Sequence, residues 1–278
     1  MGATDVAAAL LSALLHAGWN AAVKANRNPA QAMTAQMLLG AILVVPALLW
    51  SGLPDPASWG WIAASTVTNV LTVSALLRAY ELGGFGLVYP IVRAVGVLLV
   101  VPMAAIVTGE KLGPAAVAGI LVIALSLFVL ALDAARDRTV PFKALAWTLV
   151  AGLGTAAYIL CDAQGVRAAG SPWAYGFVVS MTNAGAMCWR QRQAGSPWAQ
   201  LKGQWGAAVP TAAAAMASYL LILWIWSHAP VAPAAALRDT SAVFAILIAV
   251  VWLKEPFTRT RIVAVLLAAA AVPLLRLG

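Results

Sequence analysis

Two pairs of charged residues stand out in an otherwise apolar sequence: Arg93 with Glu110, and Arg238 with Glu255. In both pairs the arginine precedes the glutamate by 17 residues, and the second pair follows the first by 145 residues. Seventeen helical residues are about 26 Å long, close to the ~30 Å hydrocarbon core of a bilayer. Since a guanidinium binds carboxylates through paired hydrogen bonds, these arginines could receive a ligand carboxylate or form an ion pair that gates a path.

The two arginines and two glutamates could also have structural roles. An arginine inside an apolar span costs about 3 kcal/mol unless it finds a partner or water. It could instead extend to the nearer membrane surface, or bond to a helix end as a structural element. Glu110 and Glu255 precede tight turns in TGEKLGP and LKEPFT, and we interpret them as structural residues at helix ends.

The first predicted helix carries a polar and aromatic stripe. Ser12, His16 and Asn20 recur every four residues and share one helix face, with Trp19 beside them. A polar side chain near the middle of a membrane must face protein or a water-filled cavity. The stripe therefore forms either a cavity wall, with His16 as a proton acceptor, or a set of interhelical hydrogen bonds.

Two more predicted helices carry comparable stripes. They comprise Ser65, Thr68, Asn69 and Thr72 on the third helix, and Thr155, Tyr158 and Asp162 on the sixth. Hydroxyl groups in membrane helices commonly serve packing. Taken together, the stripes predict that helices one, three and six share an inner surface.

Composition places these helices in a membrane. Hydrophobic residues make up 63% of the chain and charged residues 9%, against roughly 45–50% and about 25% in soluble domains. The long apolar runs exclude an outer-membrane barrel, whose strands alternate. The net charge of +8 reflects basic loops of a membrane protein, and no nucleic-acid partner is expected.

The chain divides into two halves of five spans each. The predicted spans are 4–24, 32–50, 58–80, 86–108, 114–132, 143–163, 173–190, 205–227, 232–253 and 260–277. A polar linker at 133–142 separates a first unit, 1–132, from a second, 143–278. Because five is odd, the second unit enters the membrane in the opposite orientation, and this predicts an inverted repeat around a central cavity.

Loop charge predicts the orientation of the chain. Lys and Arg outside the spans concentrate in the loops after odd-numbered spans, which places those loops in the cytoplasm and both termini outside. Of the 9 acidic residues, only Asp239 is expected inside a span, beside Arg238. The sequence contains no Ser-His-Asp set, metal cluster or phosphate loop, so we expect neither an enzyme nor a cofactor or metal.

Three stretches resemble the EamA-type drug/metabolite transporter superfamily: HAGWN, YPIVRAVG with GEKLGP, and LRDTSAVFAILIAVVWLKEPF. The resemblance extends along essentially the whole chain. It implies alternating access through a cavity lined by helices one, three, four, six, eight and nine. It also implies a bacterial inner-membrane exporter of small organic metabolites, with aromatic amino acids as the best match. A monomer in the lipid bilayer is the simplest expected assembly.

The resemblance also implies which residues bind substrate. These are His16, Trp19, Asn20, Tyr80, Tyr89, Arg93, Tyr158, Tyr219, Trp224, Arg238 and Ser241. Aromatic and hydrogen-bonding walls suit a planar apolar ligand with a zwitterionic end. His16 and Asn20 stand where small multidrug members carry a carboxylate, which disfavours proton-coupled export of cations. A multidrug or nucleotide-sugar carrier of the same fold remains an alternative, as does a lipid flippase or a membrane-embedded enzyme.

Overall fold

The computed structural model describes residues 1–83, 85–136, 141–252 and 258–277, and these residues form α-helices joined by short connections. Helix boundaries follow local sequence: Asn28 and Ser171 cap the helices that begin at Pro29 and Pro172. The helices are α1 (Ala3–Lys24), α2 (Pro29–Ser51), α3 (Trp59–Gly83), α4 (Phe85–Val107), α5 (Pro114–Ala135), α6 (Phe142–Ala168), α7 (Pro172–Arg190), the short α8 (Pro197–Leu201), α9 (Trp205–Trp226), α10 (Val231–Asp239), α11 (Ser241–Trp252) and α12 (Arg259–Leu277).

The predicted all-α polytopic fold is confirmed. Over the described part of the chain, nine segments are long and apolar enough to cross a membrane. The predicted span 173–190 coincides with α7, which has 19 residues but is more polar than those nine segments. The predicted ninth span consists of two helices, α10 and α11, which meet at Thr240.

The packing of the helices repeats between the two halves. If α1 to α5 correspond to α6, α7, α9, α10 with α11, and α12, each main contact has a counterpart. Helix α3 packs along α6 as α9 packs along α1, and α4 packs on α6 as α10 and α11 pack on α1. The pairs α2 with α7 and α5 with α12 join equivalent helices of the two halves. This exchange of partners is the contact pattern of an inverted repeat.

Small residues bring α4 and α6 close together. A Cβ on Gly152 would lie 2.5 Å from Cγ1 of Val95, and a Cβ on Gly96 would lie 3.2 Å from Cγ2 of Thr155. Glycines at such positions let two helix backbones approach closely in a bilayer. This approach fixes where α4 presents Arg93 to the interior.

Candidate functional site

A cavity of about 210 Å³ lies between the two halves. Its wall is made by α1, α2, α3, α4, α6, α7, α9 and α10, in agreement with the site expected at a repeat interface. The lining residues are His16, Trp19, Asn20, Met33, Gln36, Met37, Asn69, Thr72, Val73, Leu76, Tyr89, Val92, Arg93, Thr155, Tyr158, Ser180, Asn183, Ala215, Met216, Tyr219 and Arg238.

Most of the predicted binding residues reach this cavity. Eight of them line it: His16, Trp19, Asn20, Tyr89, Arg93, Tyr158, Tyr219 and Arg238. The other three are not among the lining residues. Tyr80 packs into the core, the ring of Trp224 contacts the ring of His228 at 4.7 Å, and the buried Ser241 Oγ lies 3.2 Å from the hydroxyl of Tyr89.

Two helices absent from the predicted lining contribute to the cavity. Helix α2 supplies Met33, Gln36 and Met37, and α7 supplies Ser180 and Asn183. The two methionines lie four residues apart on one face of α2. This spacing is visible in the sequence, but apolar residues at helical spacing usually indicate core packing, so it did not predict a binding wall. Thioethers are polarizable and pack favourably against aromatic rings, so these side chains add an aromatic-binding wall.

The first-helix stripe divides between packing and the cavity. Ser12 and Ser218 bond each other's backbone: Ser12 Oγ donates to Ser218 O at 2.7 Å, and Ser218 Oγ donates to Ser12 O at 2.8 Å. Asn20 donates to the His16 carbonyl at 2.8 Å and lines the cavity. The ring of His16 meets the ring of Trp19 edge-on at 4.9 Å. Ser12 therefore serves interhelical packing, whereas His16, Trp19 and Asn20 line the cavity.

Arg93 is neutralised within the protein. Its Nη1 donates to Asp239 Oδ1 at 2.8 Å, so an ion pair joins α4 of the first half to α10 of the second. Its Nη2 contacts Nε2 of His16, and its guanidinium lies 5.2 Å from the centre of the Tyr89 ring. Arg93 is only 8% exposed, which excludes extension to the membrane surface.

Arg238 has a different environment. It is 7% exposed and lines the cavity, yet its one hydrogen-bond contact among the described residues joins Nη2 to His16 Nδ1 at 3.3 Å. Its Nε is buried and has no partner in the described part of the chain. Asp239, its neighbour in sequence, pairs with Arg93 instead.

Asp162 corrects the expectation that only Asp239 lies inside a span. Helix α6 continues to Ala168, and Asp162 is 1% exposed. Three hydroxyls donate to its carboxylate: Ser65 at 2.5 Å, Tyr175 at 3.1 Å and Tyr219 at 2.9 Å. These bonds join α3, α6, α7 and α9 and satisfy the buried charge. Tyr219 also lines the cavity, so the network connects to its wall.

Glu110 has the structural role expected of it. Its Oε1 accepts the backbone N–H of Val231 at 2.7 Å and its Oε2 that of Ala232 at 3.4 Å, at the first turn of α10. A carboxylate at a helix N-terminus binds free N–H groups and opposes the helix dipole. Arg167 lies 3.5 Å from Glu110 and donates to the carbonyl of Ala229, which links the halves again. Glu255 lies outside the described residues.

The described residues contain no group of three His, Cys, Asp or Glu side chains that could hold a metal ion. Cys161 and Cys188 are free thiols. The cavity presents a binding surface. One part of its wall holds Arg93, His16 and Arg238, and the rest consists of aromatic, thioether, aliphatic, amide and hydroxyl side chains.

Comparison with known proteins agrees with this architecture. A solved crystal structure superposes with a TM-score of 0.77 over 99% of this chain and 96% of that chain, at 17% sequence identity, which establishes the fold. No curated protein sequence matches the chain significantly. The finer resemblance to aromatic amino-acid exporters has no support from these comparisons. The EamA-like transporter family model matches residues 4–132 and 142–277. Because the family model matches both halves and the fold is an all-helical membrane fold, this chain belongs to the EamA-like transporter family.

Proposed function

We propose that the protein exports small organic metabolites by alternating access, and that aromatic amino acids are its substrates. One observation carries this proposal: the cavity joins a guanidinium end to aromatic and thioether walls. A zwitterionic aromatic ligand has the complementary shape, with a charged end and a planar apolar end.

The size of the cavity supports a small metabolite. About 210 Å³ lies below the roughly 300–1,000 Å³ of pockets that hold drug-sized ligands. This volume disfavours the multidrug alternative.

Charge in the cavity supports the same choice. Among the described residues, no Asp or Glu lines it, which disfavours cationic drugs. Nucleotide sugars require several basic groups for their phosphates. The lining contributes two guanidiniums, and Arg93 already has Asp239 as its counter-ion.

The same proposal includes location and assembly. The protein acts as a monomer in the bacterial inner membrane, with both termini in the periplasm and the two five-span units, 1–132 and 143–278, rocking about the cavity. The cross-half contacts of Glu110 with Arg167 and of Asp5 with His228, at 3.5 and 3.0 Å, support closure at one end of the bundle.

The test is flux of labelled phenylalanine and tryptophan into liposomes that contain the purified protein. Ala215→Trp fills the cavity from α9, because Ala215 lines it, and we expect flux to fall to the level of empty vesicles. Ala213→Trp is the matched control, since Ala213 is exposed on another face of the same helix. Wild-type protein that moves no aromatic amino acid above empty vesicles contradicts the substrate assignment. Equal flux through both variants contradicts the assignment of this cavity as the path.

A further inference from the structure

We propose that Arg238 and the ring N–H of His16 form a receptor for the carboxylate of the transported ligand. The inference rests on the proposed transport function and specifies the chemistry of one end of its site. It starts from the placement of one imidazole between two guanidiniums. His16 Nε2 faces Arg93 Nη2, and His16 Nδ1 faces Arg238 Nη2 at 3.3 Å.

This arrangement leaves at least one contact unsatisfied. A guanidinium nitrogen can only donate, and a neutral imidazole accepts at one nitrogen and donates from the other. One of the two contacts therefore sets an N–H against an N–H. An imidazolium carries two N–H groups, so both contacts would then place an N–H against an N–H. An anionic acceptor that receives a hydrogen bond from each of the two donors removes the conflict.

Arg238 is where the acceptor belongs. Arg93 already has a carboxylate, Asp239 Oδ1, at 2.8 Å. Arg238 lines the cavity, forms no ion pair with any described residue, and has a buried Nε without a partner. Asp162 and Asp239 interact with Arg238 only from beyond ion-pair distance. A buried cation normally has a counter-ion in direct contact, and here the ligand supplies it.

The internal repeat explains why this counter-ion is missing. Arg93 and Arg238 occupy equivalent places, so position 94 is equivalent to position 239. Position 239 is aspartate and position 94 is alanine. The cross-half ion pair of Arg93 with Asp239 consequently has no symmetric mate, and the place where that mate would stand is taken by an apolar methyl group.

The experiment measures binding of matched carboxylate and amide pairs to the full-length protein, by thermal stabilisation and by competition with labelled phenylalanine. The pairs are phenylalanine with phenylalaninamide, 3-phenylpropionate with its amide, and leucine with leucinamide. We expect each carboxylate that binds to bind about 10- to 100-fold more tightly than its amide, since charge-assisted hydrogen bonds are the stronger class.

Two variants test the receptor by independent routes. Arg238→Gln should abolish the preference for carboxylates over amides, and Arg238→Lys should retain part of it. Ala94→Asp should abolish the preference as well, because it places an internal carboxylate beside Arg238. Its isosteric control, Ala94→Asn, should keep the wild-type preference. The Ala94 variants leave Arg238 in place, so they still test the receptor if Arg238→Gln does not fold.

The outcomes separate this inference from the substrate assignment. If leucine binds in preference to its amide and the aromatic ligands do not bind, the receptor stands and the aromatic assignment fails. If the amides bind as tightly as the carboxylates, or no carboxylate of the panel binds, the receptor is refuted. A preference that persists in both Arg238→Gln and Ala94→Asp also refutes it.

Discussion

Arg93 and Arg238 occupy the same place in the two halves of the molecule, and their surroundings differ. Both are buried, both face the cavity, and both contact His16. Arg93 has Asp239 at 2.8 Å and the ring of Tyr89 at 5.2 Å. Arg238 forms no ion pair with a described residue, and the carboxylates of Asp162 and Asp239 act on it only from a longer distance. The two halves supply two equivalent cations, and one difference, Ala94 against Asp239, gives an internal ion pair to Arg93 alone; we propose that it leaves Arg238 for a ligand.

The largest expected effect comes from removing the one internal counter-ion. Asp239→Asn leaves Arg93 buried without a charge partner, which costs about 3–5 kcal/mol in other proteins. We expect loss of folded protein or a strongly lowered Tm. Arg238→Gln should change Tm little, because it strands no charge. Thermal melting and size-exclusion chromatography in detergent measure the stability of both variants. An equal loss of stability in the two would contradict the structural role of Arg93 and the dispensability of Arg238 for folding.

A second prediction uses position 94 to make the two arginines alike. Ala94→Asp should be more stable than Ala94→Asn, and the difference should disappear in an Arg238→Gln background. Coupling between contacting charges in such double-mutant cycles is about 0.5–3 kcal/mol. A coupling of zero would show that position 94 does not face Arg238.

A third prediction divides the two contacts of His16. The side chain of Gln places a polar atom near the position of Nε2, toward Arg93, and that of Asn places one near Nδ1, toward Arg238. His16→Gln should retain most of the stability, while His16→Asn should lose about 1 kcal/mol, the usual net worth of one hydrogen bond. Thermal melts of the two variants beside His16→Ala decide this. The reverse order would assign the accepted hydrogen bond to Arg238.

The smallest effects are expected at Tyr89. Tyr89→Phe keeps the ring beside Arg93 and removes the hydroxyl that lies 3.2 Å from Ser241, so stability should change little. Tyr89→Leu also removes the cation–π contact, worth about 0.5–2 kcal/mol. Thermal melting of the two variants measures the difference in Tm. Identical Tm values would show that the Tyr89 ring does not stabilise Arg93.

The sequence by itself determined the membrane class, the ten spans, the duplication and its odd number of helices. These follow from the length and spacing of the apolar segments. Both are local properties of the sequence, and the thickness of the bilayer and its lack of water select helices of that length. Helical spacing also placed His16 and Asn20, with Trp19 beside them, on one face of the first helix. The place of Tyr89 in the lining came only from the family resemblance.

The tertiary structure alone decided which charges meet. Asp239 follows Arg238 in sequence, and adjacent residues on a helix do not face each other, so the carboxylate of Asp239 reaches across to Arg93 instead. The same holds for Asp162, whose carboxylate accepts hydrogen bonds from hydroxyls on three other helices. It also holds for the methionines of α2, whose spacing by itself indicates core packing. Partners on different helices are chosen by packing, and periodicity along one helix carries no information about them.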